Sequence, residues 1–535
     1  MKAIINKGIL LLPAACILAF SAGCTKDFQE VNTNQLQPQE RHLERDGLKP
    51  SAYIPNLQFN CYIPVATSGT GAANNYQVSF NLTADSWVGY LAPRDAKWPG
   101  RNLTQFYFDV GWTNGTFRNM TQNILSAWVQ TKKVAYDIPD PNKGVWGIAQ
   151  ISKIMGMHRA TDMYGAIPYS QVGSGSFTVP YDSQETIYKS FFKELEEAVE
   201  DLYGLAKAGE TIYGVDYVYN GDPLKWAKLG NSLRLRLAMR VRYADPELSE
   251  EQATKAMRHP AGLILKADEV AMIAQSHGVS TKNSLYVVAE TYDDTRMGAS
   301  IYSYMRGYDD PRLKVYFKGD DLDFAVPPAI PQTADHYNKA AKPIVKEFDP
   351  TIWFRASETY FLLAEASLAG YPTEDTAKNY YEEGVATSFQ ERGVSGVEEY
   401  LESTSTPASF KDKAGLGYDA TRPSSVTVNW GNGKDPELQL EKIITQKYIA
   451  IFPDGQEAWS EWRRTGYPKL IAPNTTISNY GVIRGDGQSD GVRCWPYPQD
   501  ELNNNTKNVN AAITAYRGGY NGANTKVWWD AKPSK

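Results

Sequence analysis

Apolar positions fall into two regimes along this chain. The first is a single unbroken run, Ile9 to Phe20, behind a start that carries Lys2 and Lys7 and no acid. Ser21, Ala22 and Gly23 then lead into Cys24. A basic start, a short apolar core and a small-residue exit make an export signal over 1–23. The run is shorter than the roughly 20 apolar residues a membrane-spanning helix needs. Beyond it the apolar residues recur at helical spacing. In 184–203, Ile187, Phe191, Leu195, Ala198, Val199 and Leu202 share one stripe. Asp182 or Ser183 is placed to cap this helix, with Glu185 in its first turn. In 223–243, Trp226, Leu229, Leu233, Leu237 and Val241 repeat the pattern behind Asp222-Pro223, a capping acceptor followed by a residue with no amide to satisfy. The same reasoning predicts helices over 111–133, 145–163, 298–307, 354–369, 373–391, 437–452 and 456–464. Gly370-Tyr371-Pro372 and Gly466-Tyr467-Pro468 are stops.

The helices come in sequential pairs, which predicts a mostly α fold. The expected scaffold is an α-α superhelix of tetratricopeptide-like helix pairs with few short strands. The consensus residues of that repeat are not cleanly present. Long aromatic and Gly/Pro-rich stretches separate the pairs at 53–110, 268–350 and 395–435, and their rings argue against disorder. Residues 24–50 are polar and charged and read as a tether. Residues 51–535 are expected to form a single domain.

Composition narrows the function. The 535-residue chain has a formal net charge of −6, and the leader takes two lysines with it. A mildly acidic, mixed surface argues against nucleic acid as a partner. After the leader and Cys24, only Cys61 and Cys494 remain. They are free to pair in an exported protein, but they make neither a disulfide framework nor a Cys-rich metal site. A thiol at a new N-terminus can be acylated, and two or more buried chains hold a protein on a membrane. Cys24 is therefore the expected lipid anchor. Plain secretion is the alternative, since Ser21 stands where such leaders usually carry an aliphatic residue.

The richest ligand surface in the sequence is 74–118, with ten aromatics: Tyr76, Phe80, Trp87, Tyr90, Trp98, Phe106, Tyr107, Phe108, Trp112 and Phe117. That is about twice what the chain average predicts. Asn74, Asn75, Asp85, Arg94, Arg101 and Asn102 are interleaved. A sugar offers an apolar C–H face to an aromatic ring and hydroxyls to nearby polar groups. Trp98, between Lys97 and Pro99-Gly100, sits in a turn-like setting. The candidate ligand residues are Trp98, Tyr76, Trp87, Arg101, Asn102 and Tyr292. The alternating Phe106 and Phe108 read instead as the buried face of a strand. A second aromatic patch, Tyr286 to Phe317, offers another cleft wall around Tyr292, Asp293, Asp294 and Arg296, although Tyr302 and Arg306 suit an ordinary helix.

Other chemistry is thin. Asp320-Asp321-Leu322-Asp323 has oxygen ligands for calcium but lacks the spacing and glycine of an EF-hand loop, so a solvated acidic loop is the simpler reading. His42, His158, His259, His277 and His336 show no zinc spacing, and His158 lies on an apolar helix face. No cofactor is implied. Nucleophile-elbow and phosphate-loop motifs are missing. Arg355, three residues before Glu358, reads as a structural ion pair. No catalytic residues are assigned.

A set of ordered motifs resembles the SusD/RagB family of outer-membrane lipoproteins. They are Cys24-Thr25-Lys26-Asp27-Phe28-Gln29-Glu30, the segment Arg159 to Ser170, Asp222-Pro223-Leu224-Lys225-Trp226 through Asn231 and Arg234, Arg355 to Ala366, Gln446 to Phe452, Glu457 to Pro468, and Trp495 to Glu501 with Asn504. The resemblance implies a helical scaffold with four tetratricopeptide-like units. It implies a lipid-anchored, surface-exposed protein of the Bacteroidetes outer membrane that captures a nutrient, usually an oligosaccharide. It further implies delivery to a SusC-like TonB-dependent transporter. Peptide capture by the same fold, a helical-repeat interaction module and a glycan-degrading enzyme are the competing readings.

Overall fold

Side-chain caps open the scaffold helices where the sequence places them. In the computed structural model, which describes residues 48–63, 65–66, 71–94, 98, 102–331, 335–475, 477–481 and 491–533, Ser183 accepts the Thr186 amide and Asp222 accepts the Lys225 amide. The leader, Cys24, the tether through residue 47 and Arg101 lie outside these residues. The helices of eight or more residues are α1 (Ile54–Cys61), α2 (Val110–Phe117), α3 (Asn123–Ala135), α4 (Lys143–Tyr164), α5 (Gln184–Lys207), α6 (Pro223–Arg240), α7 (Pro246–Arg258), α8 (Ala299–Gly307), α9 (Ala356–Leu368), α10 (Ala377–Arg392), α11 (Pro436–Ala450), α12 (Gly455–Thr465) and α13 (Thr506–Tyr516). Consecutive helices pack together: α3 on α4, α4 on α5, α5 on α6, α6 on α7 and α9 on α10. The fold is mostly helical, as its periodicity predicts, with tetratricopeptide-like pairs and few short strands.

Helix α4 runs through the middle and is buried almost all round, so it has no polar face to give to water. Its charged residues are instead paired inside. Helices α4, α6, α9, α11 and α12 converge on a buried ionic cluster. Arg236 donates to both oxygens of Glu358 at 2.8 and 2.7 Å. Arg240 reaches Glu461 at 2.5 Å and lies 3.3 Å from Asp162. Lys447 lies 3.0 Å from Glu457 and 3.3 Å from Glu358. Arg464 holds Glu365 at 2.6 and 2.7 Å. Glu358 is therefore an ion-pair residue, but its partners are Arg236 and Lys447 rather than Arg355. Arg355 sits at the start of α9 with its backbone extended, φ −122° and ψ 153°, and its side chain makes no cap bond to the helix.

Five short antiparallel ladders are present among the described residues, and two of them join distant loops near the site. Leu91–Pro93 pairs with Thr295–Met297, with Leu91 opposite Met297, and Ala271–Ile273 pairs with Thr351–Phe354, with Thr351 opposite Ile273. Phe106 and Phe108 are buried, but not on a strand. Phe106 ends the short 3-10 turn Leu103–Gln105 at φ 69°, and Phe108 follows in irregular backbone that bonds to Asn479. The predicted helix over 111–133 is one helical path broken by a π turn at Arg118–Gln122. Cys61 and Cys494 are both buried free thiols. Cys61 donates to the Ser152 carbonyl at 2.8 Å and Cys494 to that of Gly522 at 3.2 Å, so each is satisfied in its own part of the core. His158 is buried, with Nδ1 2.9 Å from the Ile154 carbonyl. Burial, then the charge of Arg236, pushes its pKa down.

Candidate ligand-binding site

The two aromatic stretches singled out in the sequence meet in space. The Leu91–Pro93 ladder brings residues 71–94 against residues 284–297. Around it, Arg94 pairs with Asp293 at 2.6 Å, Gln77 donates to Asp294 at 3.0 Å and the Tyr292 hydroxyl donates to Asn74 at 3.0 Å. Tyr286 and Tyr292 pack on Ala73 and Val287 beside the short helix Gly71–Tyr76. Tyr292 thus stands half-buried against Asn74 and lines neither of the two cavities described below. Tyr302, Tyr304 and Tyr308 do not join it. They are buried on or just after α8, the ordinary helical reading.

Half of the ten rings in 74–118 are core: Phe80, Tyr90, Phe106, Phe108 and Phe117. The other five, Tyr76, Trp87, Trp98, Tyr107 and Trp112, are half-buried. Trp98 and Trp112 form an edge-to-face pair with centroids 5.8 Å apart and planes at 82°. Each therefore stiffens the other while keeping part of its surface open. Trp87 donates its indole N–H to the Leu103 carbonyl at 2.9 Å and packs edge-on against Trp459. Asn102 differs from its expected role. It is 2 % exposed, and its carboxamide oxygen accepts from the Thr104 amide at 3.0 Å and the Thr104 hydroxyl at 2.7 Å. Its polar capacity goes to shaping the turn that carries Phe106 rather than to solvent.

Two cavities flank the four-residue helix Ala84–Trp87. Ser86 and Trp87 line one of about 280 Å³, together with Phe106, Trp462 and Arg493. Asp85 lines the other, of about 310 Å³, whose walls include Tyr62, Tyr76, Tyr316 and Trp353. Both volumes are at the lower end of small-molecule sites. Asp85 accepts from the Tyr76 hydroxyl at 3.3 Å and the Gly455 amide at 3.2 Å. Burial, then the charge of Asp454, pushes its carboxyl well above the usual range. Position 455 has to be glycine, because a Cβ there would lie 2.6 Å from the Asp85 backbone. Arg159 stacks over Tyr62 and is held by both oxygens of Asp454 at 3.0 Å. Of the sequence candidates, Tyr76 lines the 310 Å³ cavity, Tyr292 bonds to Asn74 outside both cavities, Trp87 lines the 280 Å³ cavity, and Trp98 stands with Trp112. The larger cavity draws mainly on residues the sequence did not mark as ligand contacts, such as Arg392 and Arg355, the latter read there as an ion-pair partner of Glu358. A lone arginine in helical sequence carries no signal that it faces a cavity.

The acidic loop is paired to neighbouring cations, Asp321 to Lys413 and Asp323 to Arg306 at 2.8 Å. Among the described residues, no three His, Cys, Asp or Glu side chains cluster as metal ligands, and no helix is long and apolar enough to cross a membrane.

No curated protein matches this chain. Solved structures do. A chitin-binding SusD homologue from Flavobacterium johnsoniae is 31% identical, with a TM-score of 0.84 over 90% of this chain and 99% of its own. A SusD homologue from Bacteroides vulgatus is 33% identical, with a TM-score of 0.84 over 93% of this chain and 100% of its own. Another from Bacteroides uniformis is 33% identical, with a TM-score of 0.79 over 91% and 99%. The model of the SusD-like family, the SusD and RagB outer membrane lipoproteins, matches residues 30–530. With that span and those ordered motifs on a paired-helix scaffold, the chain belongs to the SusD-like family of outer membrane lipoproteins.

Proposed function

We propose that this protein is a cell-surface lipoprotein that captures a glycan nutrient without altering it and hands it to a SusC-like TonB-dependent transporter. The observation that carries the reading is the set of half-open rings on the loops: Trp98 braced by Trp112, Tyr292 bonded to Asn74, and Tyr76 on the wall of the 310 Å³ cavity. Flat apolar faces with hydroxyl and carboxamide edges match the two sides of a sugar ring. The Flavobacterium johnsoniae relative, described as chitin-binding, supports a glycan over a peptide. Cys24 is the proposed acylation site, 1–23 the leader and 24–50 the tether. In this reading Trp98, Tyr76 and Tyr292 contact the ligand directly, with Trp87 and Arg101 as further contacts, and Asn102 acts by holding its turn.

The test is binding of the purified chain to panels of glycans and peptides. Retention of a glycan, weakened by Trp98→Ala, supports the reading. Retention of peptides alone shifts the cargo class. A stable partner protein with no retained small ligand favours an interaction module.

A further inference from the structure

We propose that the 310 Å³ cavity is a subsite for an acidic sugar, whose carboxylate lies between Arg355 and Arg392. This rests on the glycan-capture reading and narrows it to cargo that carries a carboxylate.

The cavity is funnel-shaped in its chemistry. Val315 and Ile344, each 38 % exposed, are at its open end, and Asp85, Arg159 and Glu358, at most 5 % exposed, are at its closed end. Between them stand stacked rings. Tyr62 and Trp353 lie 5.7 Å apart at 21°, and Tyr316 and Phe452 lie 4.8 Å apart at 29°. Their faces are taken by one another and by Arg159 over Tyr62 and Arg392 over Tyr316, so these rings stiffen the wall and hold the guanidiniums in place.

The charges around the cavity leave a positive remainder. Arg159 is neutralised by Asp454 at 3.0 Å. Glu358 is taken by Arg236 and Lys447. Burial, then the charge of Asp454, pushes the Asp85 carboxyl well above the usual range, toward its neutral form. Asp349, which accepts the Lys346 amide at 2.8 Å, sets one negative charge against the two guanidiniums of Arg355 and Arg392. Among the described residues Arg392 donates only to carbonyls, those of Ala450 at 3.3 Å and Phe452 at 2.5 Å, and its Nε has no hydrogen-bond partner. Its guanidinium lies over Tyr316, 4.6 Å from the ring centre.

Arg355 makes no hydrogen bond and no ion pair among the described residues. Glu391, the carboxylate that acts on it, is committed to the start of α9, where it accepts from the Ser357 amide at 3.1 Å and the Ser357 hydroxyl at 2.7 Å. Burial, then repulsion from Arg392, pulls the Arg355 pKa down to about 10. A half-buried guanidinium is costly to leave without an anion. Its planar fork is matched by a carboxylate, which accepts two parallel hydrogen bonds. The buried and unpartnered indole N–H of Trp353 is a further spare donor in the same wall.

Titration calorimetry of the full chain with three probes tests this: trigalacturonate, its fully methyl-esterified form and chitotriose. The ester keeps the rings and removes the charge. Trigalacturonate is expected to bind at least about tenfold more tightly than the ester. Arg355→Gln should erase that difference, and Arg355→Lys should keep part of it. Because Arg355 makes no bond, Arg355→Gln should melt no lower than wild type. Equal binding of acid and ester, or a preference that survives Arg355→Gln, overturns the inference. Binding of chitotriose alone overturns it while glycan capture stands. Binding of none of the three brings down both.

Discussion

Arg236 on α6 and Glu358 on α9, 122 residues apart, are joined by two parallel hydrogen bonds of 2.8 and 2.7 Å in the interior. Both side chains are almost fully buried, 1% and 4% exposed. Such a pair adds little stability over an apolar pair of the same shape, but removing one member strands the other charge. Arg236→Met should therefore cost about 3–5 kcal/mol in urea unfolding. Glu358→Gln, which also leaves Arg236 and Lys447 short of an acceptor, should cost a similar amount. A loss below 1 kcal/mol in either variant would mean the cluster is wetter than its geometry implies.

Glu365 gives the cluster a pH signature. Burial alone would raise its pKa, but Arg464, then Arg242 and Lys447, more than offset this and hold it at about 2 against the usual 4.5. Between those values the unfolded chain binds a proton that the folded chain refuses. Stability is full above pH 4.5 and falls as pH drops toward 2, by about 3 kcal/mol from this group. Unfolding midpoints measured from pH 5 to pH 3 should fall steeply for wild type and less steeply for Glu365→Gln.

Asp85 works in the opposite sense. Its folded pKa is raised, so above the usual carboxylate range the folded state holds a proton that the unfolded chain releases. Stability from this group is complete below about pH 4 and declines as pH rises toward its folded pKa. Asp85→Asn removes that decline. Melting temperatures of the two proteins should converge at pH 4 and separate at pH 8, with the variant higher. A lower variant at pH 8 would show that the carboxyl is ionised and satisfied.

Trp98→Ala and Tyr292→Ala are expected to weaken glycan binding by roughly 1–2 kcal/mol each, about five- to thirtyfold, without a matching loss of stability. Trp87→Ala is expected to lower the melting temperature, because its indole closes a hydrogen bond to Leu103 and packs on Trp459. Calorimetry paired with thermal melts separates the two behaviours.

Cys24→Ser should release the protein from the membrane fraction. Mass spectrometry of the wild-type N-terminus should find an acylated Cys24. An unmodified terminus on a freely secreted chain would return the leader to plain secretion.

The helical scaffold was legible because its signals are local. Ser183, Asp222 and Asp435 cap the helices they precede, accepting amides within three residues, and such contacts do not depend on the rest of the fold. The family motifs were legible for a related reason: Trp226 and Arg463 serve the packing of this scaffold. Trp226 donates to Asp216 at 2.6 Å, and Arg463 donates to the carbonyls of Asp162 and Arg493 at 2.6 and 2.7 Å. The site was only half legible. An aromatic-rich stretch shows that rings are present, and Tyr292 beside Asn74 bears out that the two stretches meet. It does not show that Phe80 and Tyr90 turn inward while Tyr76 and Trp98 stay half open. Asn102 looked like a ligand group because its type is polar, and one cap bond to Thr104 reassigned it.

By itself the sequence determined most of the scaffold helices and the family, since each depends on residues close together in the chain. Tertiary structure alone decided which carboxylate answers which guanidinium. Glu358 sits one turn from Arg355 yet bonds to Arg236 across the core, so Arg355 is left facing a cavity without a counter-ion. Burial and pairing are set by elements hundreds of residues apart, and no local pattern of polar and apolar positions encodes that arrangement.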